Sequence, residues 1–174
     1  MEIVQNPHTA LRATASPIKK EEISAKPTQD LIAAMKDALK KEHYGVAVAA
    51  PQVGESVRLF VVAGHVFAAR KAEEYTPEEY PDRVYINPSI TSRSRKVRAL
   101  QEGCLSVRGK WGEVPRHERI TLEYLDEAGV KQTYGASGVL AQIFQHEIDH
   151  LDGILYIDKA ERVWDDKENE HAEN

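Results

Sequence analysis

One short run constrains this chain more than any other: His146-Glu147-Ile148-Asp149-His150. Four residues make slightly more than one helical turn, so on a helix both imidazoles project from one face and can grip a single metal ion. Val139 and Ile143 continue that stripe upstream, while Leu140, Phe144 and Leu151 form a second apolar stripe suited to a core. The spacing predicts a helix over 139–151, with Ser137 as its N-cap and Gly153 as its stop. The bland alternative is a solvated, charged helix, and the apolar flanks argue against it. Histidines beside a buried stripe need partners, because desolvating them unpaired is costly. With a metal as that partner, Glu147 stands where a carboxylate can take a proton from activated water and pass it to a leaving amine.

A catalytic metal of this kind needs a third protein ligand and an open position. The downstream candidates Asp158, Glu161 and His171 lack the spacing of the longer zinc-protease motif. Upstream stands Cys104, the only cysteine, which cannot form an internal disulfide and is free for packing, metal binding or nucleophilic chemistry.

The rest of the chain is that of a single soluble domain. It has 174 residues, 41% hydrophobic and 29% charged, with net charge −5, so nothing in it suggests a nucleic-acid binder. The apolar runs 46–51 and 59–63 are too short to span a bilayer and the N-terminus has no secretory pattern, so a cytoplasmic location is expected. Residues 1–23 read as an extended arm. Apolar spacing predicts a helix over 30–42, and strands are expected at 57–62 and at 83–86, before Asn87-Pro88. Residues 68–81 read as an exposed loop with a short helical turn at 68–74, and the basic segment 92–98 as a hairpin and solvated strand edge. The segments 120–125 and 130–134 flank a turn and predict an antiparallel pair. The expected class is therefore α+β, mostly antiparallel sheets packed around the late helix, in one catalytic domain over 1–164 followed by a polar acidic tail, 165–174, expected to fray.

Three motifs in order give the resemblance: Gly45-Val46-Ala47-Val48-Ala49-Ala50-Pro51-Gln52, then Glu102-Gly103-Cys104-Leu105-Ser106, then Gln145 to Gly153 around the histidines. With Asn6-Pro7-His8, Ile86-Asn87-Pro88 and Val114-Pro115-Arg116, they make nearly the whole chain resemble the peptide deformylases. The resemblance implies metal-dependent hydrolysis of the N-formyl group of N-formylmethionyl nascent peptides. It makes Cys104, His146 and His150 the metal ligands and Glu147 the proton shuttle. Gln52 and the Leu105 backbone N–H match the family's oxyanion hole. Gly45, Val46 and Gly103 would sit beside the peptide backbone, and Val46, Leu100, Val139 and Ile143 would line the pocket for the methionine side chain. Glu102 would orient a ligand histidine or pair with Arg116.

The donor set suits zinc, iron(II), cobalt or nickel, and the resemblance favours iron(II). In the bacterial deformylases that have one, a long basic C-terminal helix is a means of meeting the ribosome; this chain has an acidic tail instead, which does not support such a partner. Ala47 stands where the pattern has glycine, Arg108 where it has proline, and Trp111 where it has Arg, Tyr or Phe. If that glycine serves a positive φ or close approach, Ala47 is expected to strain the strand or crowd the peptide. Two rival readings are an HExxH zinc peptidase, which Cys104 argues against, and a non-catalytic binder of peptide or metal.

Overall fold

The computed structural model describes residues 1–71 and 73–166. Its elements in chain order are α1 (Lys26–Lys41), β1 (Ala47–Ala49), β2 (Leu59–Val62), α2 (Gly64–Lys71), β3 (Arg83–Arg93), β4 (Val97–Cys104), β5 (Val107–His117), β6 (Arg119–Leu125), β7 (Lys131–Ser137), α3 (Val139–Leu151), α4 (Tyr156–Lys159) and β8 (Arg162–Asp165). Among the described residues the strands form a five-stranded antiparallel sheet, ordered β1-β2-β3-β6-β7, and a three-stranded antiparallel sheet, β4-β5-β8. The expected α+β class with mostly antiparallel pairing is what the chain adopts.

Strand β2 is apolar at every position because both its faces are covered. Phe60 and Val62 face α3, packing with Tyr85, Leu122, Leu140 and Phe144. Leu59 and Val61 face α1, packing with Ile32, Met35 and Leu39. The same alternation sends Ala47 and Ala49 of β1 to the α3 side and Val48 to the α1 side. Phe144 anchors α3 with ring centroids 4.8 Å from Tyr85 and 5.8 Å from Phe60. Truncating such a position to alanine typically costs roughly 3–5 kcal/mol.

The helix over 139–151 lies where its spacing predicts, packed on β1, β5 and β7. Its N-cap is a correction. Ser137 ends β7, and Gly138, at φ 60, precedes the helix without a side-chain cap. Gly153 does serve as the stop, at φ +74, and a Cβ there would lie 2.8 Å from the Arg12 carbonyl oxygen.

Elsewhere the structure departs from expectation. Helix α1 starts at Lys26 because Pro27 pre-sets its first turn, ahead of the apolar stripe. Strand β3 runs past Ile86 through a register shift at Asn87-Pro88. There Asn87 takes φ 49 and its side-chain amide holds Ile18 of the N-terminal arm at 2.8 and 2.7 Å. Residues 68–81 are not simply an exposed loop: α2 covers 64–71, and Phe67, Ala68 and Tyr80 are buried. Segment 92–98 is no hairpin, since β3 pairs with β6 and β4 with β5, so the chain crosses between sheets there. Asp165, assigned to the tail, ends β8 and pairs with Lys110 at 2.6 Å. Residues 167–174 of that tail, His171 included, lie outside the described residues.

Ala47 carries no backbone strain: Asn87 is the one non-glycine residue with positive φ among the described residues. Its methyl is buried in the α3-side core.

Candidate metal centre

Helix α3 sets the His146 and His150 rings 4.9 Å apart, nearly perpendicular at 77°. Cys104 reaches them from the end of β4, where a register shift between Glu102 and Cys104 breaks the ladder with β5. Its Sγ lies 3.2 Å from His150 Nε2. One ligand atom from each of Cys104, His146 and His150 falls within 4.8 Å of the others. A tetrahedral site with bonds of about 2.0–2.3 Å separates its donors by about 3.5 Å, so a sulfur and two imidazole nitrogens fit one metal here.

The surrounding charges set the ring orientations. His146 Nδ1 meets Glu102 Oε2 at 2.9 Å, leaving its Nε2 for a metal. Arg116 grips the same carboxylate twice, at 2.7 and 2.8 Å, and donates through Nη1 to Asp149 Oδ2 at 2.6 Å. Lys159 answers the other Asp149 oxygen at 2.6 Å. Burial pushes the Glu102 carboxyl up, but Arg116 and His146 outweigh it and hold the group at about 2. Burial likewise works against a charged His146, and Cys104 and Glu102 reverse it, keeping that imidazole well above its ordinary value. Burial drives His150 the other way, toward neutrality. Glu147, also buried, is pushed up to about 7, and its Oε2 has no hydrogen-bond partner among the described residues.

Gln52 belongs to the helical turn Ala50–Val53. The Ala49 N–H donates to its Oε1 at 2.8 Å, which fixes the amide so that Nε2 points at Ser106 Oγ, 3.3 Å away, and Cys104 Sγ, 3.5 Å away. Leu105 lies in the turn between β4 and β5, with its carbonyl accepting from Gln5 of the arm at 2.9 Å. Gly45 follows α1, and a Cβ there would come within 2.8 Å of Leu39, so glycine serves the close approach to that helix. Val46 is 41% exposed. Leu100 is half-buried on β4, and Gly103 lies under the Trp111 ring. Ile143 is buried in the α3-side core, whereas Val139, at the start of α3, is 68% exposed.

Sequence reasoning misses the parts played by Asp149, Ser106 and Tyr156. Asp149 sits inside the histidine motif, but helical spacing gives no sign that it faces an arginine. Tyr156 stacks on His146, centroids 6.2 Å apart, and only the fold brings it there.

A sequence model described as polypeptide deformylase matches residues 1–165. A peptide deformylase of Chlorobaculum parvum is 42% identical over 152 residues, covering 87% of this chain and 75% of that protein. One from Symbiobacterium thermophilum is 40% identical over 182 residues, covering 99% and 74%. Among solved structures, a class I type b peptide deformylase from Acinetobacter baumannii with Met-Ala-Ser bound superposes with TM-score 0.77 at 31% identity, covering 90% of this chain and 96% of that one. Arabidopsis thaliana peptide deformylase 1B, in complex with an inhibitor, gives 0.77 at 36%, covering 91% and 81%.

Proposed function

The chain belongs to the polypeptide deformylase family, and from that premise we propose how its own residues remove the N-formyl group from the formylmethionine of new polypeptides, releasing formate. Cys104, His146 and His150 would hold one divalent metal. When bound, the metal supplies Lewis acidity, polarising the formyl carbonyl and making water a better nucleophile. Glu147, with a buried carboxylate oxygen beside His146, accepts a proton from the attacking water and returns it to the departing amine. Gln52 Nε2 and the Leu105 N–H donate to the formyl oxygen as it gains charge, each such donor typically contributing on the order of 3 kcal/mol. Glu102 acts through His146, engaging its Nδ1 so that Nε2 would be the nitrogen available to the metal.

The observation that carries this reading is the convergence of Cys104, His146 and His150 within 4.8 Å, with the Gln52 amide 3.5 Å from the same sulfur. A peptidase taking its third ligand downstream has no use for that pairing.

Strands β1 and β4 each end their sheet order, so both offer backbone edges to an extended peptide. The formylated chain runs between Gly45–Val46 and Gly103, and Val46, Leu100, Val139 and Ile143 line the methionine pocket. The tripeptide in the Acinetobacter relative, which starts with Met, supports that occupancy. Residues 1–164 work as one catalytic unit, a reading supported by α3 packing on strands of both sheets. Iron(II) is the metal favoured by family likeness, with zinc, nickel and cobalt suited to the same donors. The compartment proposed is the cytoplasm, where nascent chains are met; no helix among the described residues is long and apolar enough to cross a membrane.

The test is formate release from formyl-Met-Ala-Ala against the acetyl analogue. The formyl peptide should be turned over faster by a wide margin, and Glu147→Ala should retain metal while losing roughly 10²–10⁴ of the rate. Comparable rates on the two peptides would point to a general amidase.

A further inference from the structure

Residues Val4 to Asn6 of the N-terminal arm lie across the two turns that carry Gln52 and Leu105. The Val4 N–H donates to the Gln52 carbonyl at 2.8 Å and the Asn6 N–H to the Ser106 carbonyl at 2.9 Å. Between them, Gln5 Nε2 donates to the Leu105 carbonyl at 2.9 Å and to the Ile3 carbonyl at 3.3 Å. Both neighbours are acceptors, so the amide end that faces them is its NH2. The Leu105 carbonyl and the Ser106 N–H belong to one planar peptide unit and point in opposite directions. On the far side of that unit, the Ser106 N–H donates to Cys104 Sγ at 3.4 Å. A line of polar contacts therefore runs from an exposed glutamine, through one peptide plane, to the sulfur of the metal centre.

We propose that Gln5 is a positioning residue for the metal centre, holding the Leu105–Ser106 peptide unit so that its N–H stays on the Cys104 sulfur. The inference rests on the reading of Cys104 as a metal ligand. Leu105 and Ser106 are the two residues between the paired Cys104 and Val107, so the peptide unit they share is the central one of the turn. That unit is the soft part of any such turn: type I and type II turns differ by its rotation, at the ψ of one central residue and the φ of the next. Rotated, it would take the Ser106 N–H off the sulfur and present the Leu105 carbonyl oxygen to it instead. The Gln5 amide favours the first arrangement, because only there does the carbonyl reach its NH2. A hydrogen bond to a metal-bound thiolate draws electron density from the sulfur and leaves the metal the stronger Lewis acid.

The test uses the full-length protein loaded with cobalt, whose near-ultraviolet thiolate-to-metal charge-transfer band reads electron density on the sulfur without turnover. Gln5→Glu keeps the shape of the side chain but offers only acceptors, so the peptide unit loses its anchor. The band should move to longer wavelength in Gln5→Glu and in Gln5→Ala, and return to its wild-type position in Gln5→Lys, which restores a donor. Gln5 is exposed, so lost packing does not account for such a series. On formyl-Met-Ala-Ala, Gln5→Glu should lower kcat about threefold to tenfold with a smaller change in KM, since partners of metal ligands typically carry about 10–100-fold and Gln5 stands one contact further out. An unmoved band in Gln5→Glu, or a shift that Gln5→Lys does not reverse, overturns the proposal. Failure of the Cys104 assignment looks different and takes the inference with it: the wild-type cobalt protein would itself lack the band.

Discussion

Cys104 shows how far a single residue can be read. Its being the only cysteine excludes an internal disulfide, and its place before Leu105-Ser106 suggests a ligand, but its approach to His150 depends on the broken β4–β5 ladder. Cys104→Ala leaves two imidazoles, too few for a closed structural or catalytic site. Purified Cys104→Ala should therefore carry almost no metal while the wild type carries one ion per chain, as read by elemental analysis; full occupancy in the variant would rule the thiolate out as a ligand. Gln52 makes a complementary case. Its amide is already held by Ala49 and aimed at the sulfur, so it needs no reorganisation when charge develops on the substrate. Gln52→Ala should lower kcat by roughly 10²–10³ with a much smaller change in KM, because the bond forms mainly in the transition state. A change confined to KM would assign Gln52 to ground-state binding instead.

At the scale of elements, legibility tracks periodicity. Helix α3 is plain because its two apolar stripes and its histidines repeat at helical spacing, and the β6–β7 pair because it alternates around a turn. Strands β4, β5 and β8 are not legible. Strands β4 and β5 mix Arg, Gln, Glu, Gly and Pro because their buried side carries Glu102 and Arg116 of the metal centre, and β8 is only the short run Arg-Val-Trp-Asp. Ala47 misleads for a related reason: a family pattern signals that a position is small without saying what presses on it. In the fold, its methyl lies in the core shared by β1 and α3, so Ala47→Gly relieves no strain. Removing a buried methyl and adding backbone freedom in a strand should instead cost roughly 1–2 kcal/mol, visible as a lower urea midpoint. Catalytic efficiency on formyl-Met peptides should not rise; a rise would show that the methyl does reach the peptide channel.

Across the whole molecule, the three-stranded sheet, α3 and α4 meet around one buried guanidinium. Arg116 of β5 holds Glu102 of β4 and Asp149 of α3, and Lys159 closes the chain of charges from the end of α4. Arg116 and Glu102 are only 3% exposed in their side chains, so each charge survives burial because the other is there. The Glu102 carboxyl, held at about 2 against an ordinary 4.5, stabilises the fold fully above about pH 4.5. That contribution, of order 3 kcal/mol, should be lost as pH falls from about 4.5 to about 2. Arg116→Met removes the guanidinium but leaves both carboxylates buried. Burial then dominates, the Glu102 carboxyl rises, and protonating it in acid relieves the fold where in the wild type it costs stability. Denaturant titrations of metal-stripped protein at a series of pH values should show the variant about 3–5 kcal/mol less stable at neutral pH. They should also show its stability recovering, relative to wild type, as acid neutralises the stranded carboxylates. Parallel stability–pH curves would mean that Glu102 and Asp149 find other partners, and that Arg116 does not join the three-stranded sheet to α3 in the way its contacts imply.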